Sequence, residues 1–215
     1  EEHVGFIFSH NLFTVQFMYD RLPLYIVAFY PAIATLAWEV VRSLRVFERR
    51  GAVAAAFAVA FTCQVFYEIF DHLGPQLKWW GWNVDNREIN QPALDSVPMN
   101  SMLLFASVSF GALAWLVLKL SGPKEGRDAL GGGQVAWRTV VAGVLTPLAM
   151  IIVSAPTGAF RAEDQLDIQR TILWVELGVV WVIGLWLLVD AWRAIGAGQV
   201  SPVDAPTFAR FYPML

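Results

Sequence analysis

Five long apolar runs restrict the folds available to this chain more than any other feature of its sequence. They cover approximately residues 22–44, 52–72, 99–120, 135–155 and 171–195. Each run is near the ~20 residues that a helix needs to cross the hydrocarbon core of a bilayer. The sequence lacks the alternation of apolar and polar residues that is typical of barrel strands. The backbone N–H and C=O groups inside the lipid must therefore form their hydrogen bonds within helices. We therefore predict an all-α, polytopic transmembrane bundle of about five spanning helices.

The composition is typical of a membrane protein and argues against a soluble domain or a nucleic-acid-binding protein. Hydrophobic residues make up 57% of the 215 residues and charged residues only 15%, against about 25% charged residues in soluble domains. The net charge is -3 and the cationic residues are scattered, so nothing in the sequence predicts a nucleic-acid partner. The one cysteine, Cys63, lies inside an apolar run, where a thiol usually serves packing.

The distribution of Lys and Arg predicts the orientation of the bundle. The first and third connections are rich in cations, namely Arg42, Arg45, Arg49 and Arg50, then Lys119, Lys124, Arg127 and Arg138. The positive-inside rule assigns these two connections to the cytoplasm. We expect a multi-pass protein of a bacterial plasma membrane with a cytoplasmic C terminus and an outer N terminus. Because an outer N terminus requires export, we also expect an upstream helix or a cleaved leader.

The whole chain, 1–215, is predicted to form a single transmembrane domain with three parts. Residues 1–21 form an outer interfacial segment, because the apolar run at 6–19 is too short to span. Residues 22–195 form the helix bundle. Residues 196–215 contain three prolines and form an irregular cytoplasmic tail.

A stripe of polar residues runs along the second predicted helix. Gln64, Glu68, Asp71 and His72 fall at i, i+4, i+7 and i+8, which places them on one helix face. Lipid does not tolerate such a face, so it must point into the protein or into a cavity. Glu176, about two turns inside the fifth predicted helix, lies at a depth similar to that of Glu68. When two carboxyl groups of one site lie in different environments, one can act as the acid and the other as the base.

Each polar residue also has a structural interpretation. Glu68 could be a hydrogen-bond anchor between helices, which is the usual role of a single buried polar group in a membrane. Asp71 and His72 could reach the headgroup region and stay solvated. Glu39 lies one turn from Arg42 and is expected to pair with it at the cytoplasmic surface.

A tryptophan-rich loop follows the polar stripe. Trp79, Trp80 and Trp82 come directly after the Gly74–Pro75 break. The simpler interpretation is an interfacial belt, because Trp is enriched where a protein meets the membrane surface. The alternative is a lid of aromatic faces over the polar cluster, able to stabilise a developing cation.

The sequence predicts neither a metal site nor a cofactor. A transition-metal site needs several His or Cys ligands, and the segment from Glu68 to His72 offers one His and two carboxylates. His72 is also the only His in a predicted span, which excludes haem held by two intramembrane histidines.

The segment 64–105 carries a resemblance to a known family. The pattern consists of the intramembrane acid in Tyr67-Glu68, the loop from Leu73-Gly74-Pro75 to Trp82, and the Ser96-Val97-Pro98 corner before the third helix. It resembles the carotenoid biosynthesis membrane proteins of the bisanhydrobacterioruberin hydratase type, although the loop sequence at 85–88 departs from that family. These are small polytopic helical enzymes that add water across a carbon–carbon double bond of a long isoprenoid.

The resemblance carries over only to Glu68 and the Val97-Pro98 corner, and the chemistry of alkene hydration assigns the remaining roles. Glu68 would be the acid that protonates an alkene, and Asp71 or Glu176 would be the base that activates water. The side chains expected at the substrate are Tyr67, His72, Trp79, Trp80, Trp82 and Asn100. A double-bond isomerase or a cyclase would use the same groups, so a lyase (hydratase) and an isomerase or cyclase both remain open.

A non-catalytic role is the alternative class. The chain would then be a small membrane subunit or a lipid-binding module of a larger complex, with a membrane lipid and other membrane proteins as its partners. A transporter fits less well, because about five spans with one short polar stripe leave little for alternating access.

Overall fold

The computed structural model describes residues 8–10, 15–17, 22–82, 90–122, 130–160 and 162–203. Parts of all three predicted regions therefore lie outside the described residues. From the helix bundle these are residues 83–89, 123–129 and 161, which include Lys124 and Arg127 of the third connection. From the interfacial segment these are residues 1–7, 11–14 and 18–21, and from the tail they are residues 204–215.

The described part of the chain contains five helical spans long and apolar enough to cross a membrane. They are α1 (Leu24–Ser43), α2 (Val46–Gln76), a π-helix (Ser101–Val108) that continues as α3 (Ser109–Ser121), α4 (Gly132–Gly158) and α5 (Leu166–Gly196). A 3₁₀ turn at Glu163–Gln165 precedes α5. The predicted all-α, multi-pass bundle is confirmed.

Helix α2 is the centre of the bundle. It packs against α1, against the third span and against α5. Glycines on its neighbours allow this close packing: a Cβ at Gly111 of α3 would lie 2.9 Å from the Ala56 carbonyl oxygen, and one at Gly184 of α5 would collide with Phe61. Small residues at such crossings let membrane helices pack closely, and this packing stabilises the pair where the lipid supplies no hydrophobic driving force.

Helix α4 is peripheral. It packs mainly against the third span and makes few direct contacts with α5. Its large apolar side chains from Val135 to Ile152 are mostly exposed at the protein surface. An apolar helix with this exposure is suited to contact lipid chains or a partner helix.

Arginine side chains gather at one end of the bundle. Arg42 Nε donates to Glu39 Oε2 at 2.8 Å, which confirms the predicted pair. Arg50 Nη2 donates to Asp190 Oδ2 of α5 at 3.0 Å, and Arg49 Nη1 lies 3.3 Å from the same oxygen. These contacts join the α1–α2 corner to the end of α5.

Three short strand pairs lie at the opposite end. Strand β1 (Phe8–His10) pairs antiparallel with β4 (Trp80–Trp82). Likewise β2 (Gln16–Phe17) pairs with β3 (Leu22–Pro23), and β5 (Ala93–Leu94) pairs with β6 (Val97–Pro98). The sequence did not predict these strands, because two or three residues are too few to show alternation. They bring the described N-terminal residues onto the tryptophan loop.

Candidate functional site

Trp80 folds back over the end of α2. Trp79 N–H donates to the Gly74 carbonyl at 2.8 Å, which turns the chain back toward the helix. A Cβ at Gly74 would collide with the Trp80 indole, so glycine is what lets this ring lie against the helix. Trp80 is only 7% exposed and forms a roof over the space between α1, α2 and the π-helix.

Beneath this roof lies a small pocket of about 90 Å³, which we call the aromatic pocket. Seven of the ten lining residues that the structure describes are aromatic. The lining consists of Ile26, Phe29, Tyr30, Tyr67, Phe70, Asp71, Trp80, Trp82, Ser101 and Phe105. The pocket therefore draws on α1, α2, β4 and the π-helix.

Asp71 is the one ionisable carboxyl among the described lining residues of this pocket. Its side chain is buried, with the residue only 4% exposed. Ser101 Oγ donates to Asp71 Oδ2 over a long 3.5 Å contact. The interpretation that Asp71 stays solvated at the headgroups is wrong, because Trp80 and the π-helix cover it.

Two tyrosine hydroxyls add a second polar group to the pocket. The hydroxyl oxygens of Tyr30 and Tyr67 lie 2.9 Å apart, and either can donate. A hydroxyl carries one donor and two acceptor sites. Once one tyrosine donates to the other, the second O–H is left to donate to a ligand.

The aromatic rings form a continuous wall. Phe29 and Phe70 stack with centroids 4.2 Å apart, and the Phe70 and Trp80 centroids are 4.6 Å apart. Trp82 stands edge-on to Trp80 at 6.5 Å. Faces of this kind attract cations and pack against unsaturated chains.

The π-helix places side chains from one segment toward two different spaces. Its wider turn is seen where Ser109 N–H donates to the Leu104 carbonyl, five residues back. Ser101 and Phe105 line the aromatic pocket, while Leu103 and Val108 line a second cavity deeper in the bundle. π-Helical turns are frequent at functional sites.

Gln64 has a structural role. Its Oε1 accepts hydrogen bonds from Ser107 Oγ at 2.7 Å and from Trp181 Nε1 at 3.0 Å. The deepest residue of the polar stripe therefore links α2 to the π-helix and to α5, as expected of an interhelical anchor.

Glu68 lies beside His72 and is absent from the described lining of the aromatic pocket. His72 Nε2 is 3.5 Å from Glu68 Oε2, and the His72 side chain is about one third exposed. The structure thus places Asp71 in the aromatic pocket and Glu68 beside His72, with both Glu68 carboxyl oxygens buried and without a hydrogen-bond partner in the described part of the chain.

Glu176 lines the second cavity with Ala56 and Ala60 of α2. Neither this cavity nor the aromatic pocket has Glu68 among its described lining residues, and Asp71 and Glu176 line different spaces. The three predicted carboxyl groups therefore do not line one common pocket.

The remaining predicted residues lie around the aromatic pocket. Trp80 and Trp82 line it, as a lid would. Trp79 packs outside them, 5.9 Å from Phe70 and 6.3 Å from Trp80 between centroids. Asn100 is half-buried at the start of the third span. Among the described residues, no three His, Cys, Asp or Glu side chains form a group that could hold a metal ion.

The sequence analysis did not assign five of the lining residues to the site: Phe29, Tyr30, Phe70, Ser101 and Phe105. One signal was present: a Tyr in the middle of an apolar span carries a hydroxyl that needs a partner when buried. That signal indicates Tyr30 but does not identify Tyr67 as its partner.

Comparison of the chain with protein-family models, with characterised proteins and with solved structures finds no match. The fold and the pocket define the class on their own: a multi-pass helix bundle with an acidic, aromatic-walled pocket at one end.

Proposed function

We propose that the aromatic pocket binds the unsaturated chain of an isoprenoid-type membrane lipid and that Asp71 protonates one of its double bonds. The observation that supports this proposal is a single buried carboxyl in a pocket with seven aromatic residues. The resemblance of segment 64–105 to carotenoid hydratases points to the same chemistry. The geometry favours Asp71 over Glu68 as the acid, because Asp71 faces the pocket.

The reaction starts from a protonated Asp71. Its O–H proton moves to one alkene carbon, which forms a C–H bond and leaves a carboxylate and a carbocation. The faces of Phe70 and Trp80 stabilise that cation. Water then adds to the cation and its proton returns to Asp71, which completes a hydration. Loss of a neighbouring proton would give an isomerase instead, and attack by a second double bond would give a cyclase.

Neighbouring hydroxyls orient the acid and the chain. Ser101 donates to Asp71 Oδ2, which leaves Oδ1 to carry the transferred proton. The free O–H of the Tyr30–Tyr67 pair fixes water or a polar group of the lipid near the reacting carbon. Both are positioning roles, because neither group transfers the proton in this scheme.

We place the aromatic pocket at the outer leaflet of a bacterial plasma membrane, with the C terminus in the cytoplasm. The support is the arginine-rich end of the bundle, which is the end opposite Trp80. Arg45, Arg49 and Arg50 lie there beside the end of α5, and such clusters mark the cytoplasmic side.

Turnover of the native lipid tests the proposal. Lipids extracted from the purified wild-type chain supply the substrate, and their conversion is followed by mass spectrometry. We expect Asp71→Asn to lower turnover by at least about 100-fold, the loss typical of a missing general acid. The control is Asp167→Asn, whose side chain is 94% exposed and which should act as wild type. Wild-type turnover by Asp71→Asn would overturn the assignment.

The exposed face of α4 favours a second candidate, a non-catalytic lipid-binding subunit of a larger membrane complex. Trp137, Val144 and Ile151 are examples of large apolar side chains on α4 that are exposed. Purification in mild detergent distinguishes the two. A stoichiometric membrane partner together with an unaltered bound lipid would favour the subunit.

A further inference from the structure

Two arginines share one carboxylate oxygen at the arginine-rich end of the bundle. Arg50, near the start of α2, donates to Asp190 Oδ2 of α5 from Nε at 3.3 Å and from Nη2 at 3.0 Å. Nη1 of the neighbouring Arg49 lies 3.3 Å from the same oxygen. We call these three residues the α2–α5 triad. Because a guanidinium stays protonated in a protein, the triad combines two positive charges with one negative charge.

The neighbouring carboxylates do not offset this excess. Glu39 forms an ion pair with Arg42 of its own helix. Glu48 lies 3.8 Å from Arg45. Within the described part of the chain, the α2–α5 triad therefore keeps an excess of one positive charge.

Arg50 is the arginine of the triad that a ligand can reach best. Its side chain is 40% exposed, against 22% for that of Arg49. Its bonds to Asp190 use Nε and Nη2, so among the described contacts Nη1 keeps two N–H groups for a second acceptor. The guanidinium carbon lies 5.3 Å from the ring centroid of Trp186. An exposed arginine beside a tryptophan is typical of the depth where lipid headgroups lie.

An exposed apolar stripe on α5 leads to the triad. Val179, Val182 and Trp186 are 45%, 72% and 54% exposed, and Arg193 at the end of the helix is exposed as well. These residues fall at i, i+3, i+7 and i+14, which places them on one face of the helix. From Val179 to Asp190 the helix rises about 16 Å, close to the about 15 Å that one leaflet contributes to the hydrocarbon core. The stripe therefore has the length of one leaflet and ends at cations.

We propose that the α2–α5 triad binds the phosphodiester of an anionic phospholipid, whose acyl chain lies along the exposed stripe of α5. A phosphate oxygen accepts from Arg50 Nη1, and Arg193 supplies a further cation beside the headgroup. The planar guanidinium fork matches the geometry of phosphate oxygens, and the phosphate brings the negative charge that the triad lacks. A choline headgroup would add a cation next to the arginines and so fits less well. This site lies at the end of the bundle opposite the aromatic pocket and does not depend on the reaction proposed there.

Titration of the purified full chain with dioleoylphosphatidylglycerol, followed by native mass spectrometry, tests the site. We expect the wild type to bind this lipid at least about fivefold more tightly than dioleoylphosphatidylcholine, the factor that one arginine near a membrane surface contributes toward an anionic lipid. Arg50→Gln and Arg193→Gln should each weaken binding of phosphatidylglycerol about fivefold and leave binding of phosphatidylcholine unchanged. Asp190→Asn should tighten binding of phosphatidylglycerol, because it removes the negative charge of the triad.

The matched control is Arg170→Gln, which removes a 48% exposed arginine at the other end of α5 and should bind both lipids as wild type. Arg193→Gln breaks no ion pair among the described residues, so the test stands if Arg50→Gln fails to fold. Inorganic phosphate should not displace the lipid, because it lacks the chain that packs on Val182 and Trp186. Equal binding of the two lipids by the wild type, an unchanged affinity of Arg193→Gln for phosphatidylglycerol, or displacement of that lipid by an equal concentration of inorganic phosphate would overturn the proposal.

Discussion

At the scale of single residues, the position of Asp71 around α2 decides what it can do. Glu68 and Asp71 are three residues apart, so their side chains leave the helix about 60° apart. This difference is enough for Asp71 to lie under Trp80 in the aromatic pocket while Glu68 lies beside His72. A polar stripe in the sequence does not resolve these directions, since both residues belong to the same broad face.

Gly74 is the residue that lets the roof of the pocket close. We predict that Gly74→Ala moves the Trp80 ring, because the new Cβ would occupy the ring's place. A displacement of about 1 Å is enough to lower turnover about 100-fold, which steady-state rates would measure. Gly81→Ala is the matched control, since a Cβ there would meet nothing within 4 Å. Equal rates for the two variants would show that Trp80 does not shape the site.

At the scale of helices, most of the architecture could be predicted and the contacts between helices could not. The five apolar runs predicted the spans to within a few residues, apart from the start of α5, which begins about five residues earlier. Helical geometry in α2 is broken at Gly51 (φ 77°, ψ -176°), and the predicted second run begins at the next residue. Glu39 and Arg42 could be paired because they are one turn apart. Tyr30 and Tyr67 are 37 residues apart on different helices, and hydrophobic periodicity does not indicate which helix faces meet.

The crossing of α2 and α5 gives a prediction for stability. Gly184→Ala should destabilise the chain by about 1–3 kcal/mol, because its Cβ would collide with Phe61 in a packed interface. Gly178→Ala on the same helix should change stability by less than about 0.5 kcal/mol, as a Cβ there meets nothing within 4 Å. Equilibrium unfolding in detergent measures both. A destabilised Gly178→Ala together with a neutral Gly184→Ala would contradict the close crossing.

At the scale of the whole molecule, the bundle has two chemically different ends. Arginines and Asp190 join α2 to α5 at one end, and tryptophans with short strands cover the aromatic pocket at the other. The sequence predicted this polarity from its loops. The predicted similar depth of Glu176 and Glu68 agrees with the hydrogen bond between Gln64 of α2 and Trp181 of α5, because the two carboxyl residues lie four and five residues above that pair on their helices. The sequence did not predict that Asp71 and Glu176 line different spaces, because this depends on the direction in which each helix face points.

Cysteine labelling tests which end faces outward. In a Cys63→Ala background, Leu94→Cys marks the tryptophan end and Ser201→Cys marks the arginine end. We predict that a membrane-impermeant maleimide labels Leu94→Cys in intact cells and Ser201→Cys only after permeabilisation, following the positive-inside rule. The reverse pattern would place the aromatic pocket at the cytoplasmic leaflet. Labelling of both cysteines from one side would contradict the three spans between them.

The transfer of a proton from Asp71 to carbon is the central claim, and turnover in D₂O tests it most directly. Asp71 exchanges its acidic hydrogen with solvent, so the wild-type product should carry one deuterium bound to carbon, whether the outcome is hydration, isomerisation or cyclisation. Asp71→Asn should yield almost none of this product in the same time, while Asp167→Asn should match the wild type. A product without carbon-bound deuterium, or equal deuterium transfer by Asp71→Asn, would contradict the account.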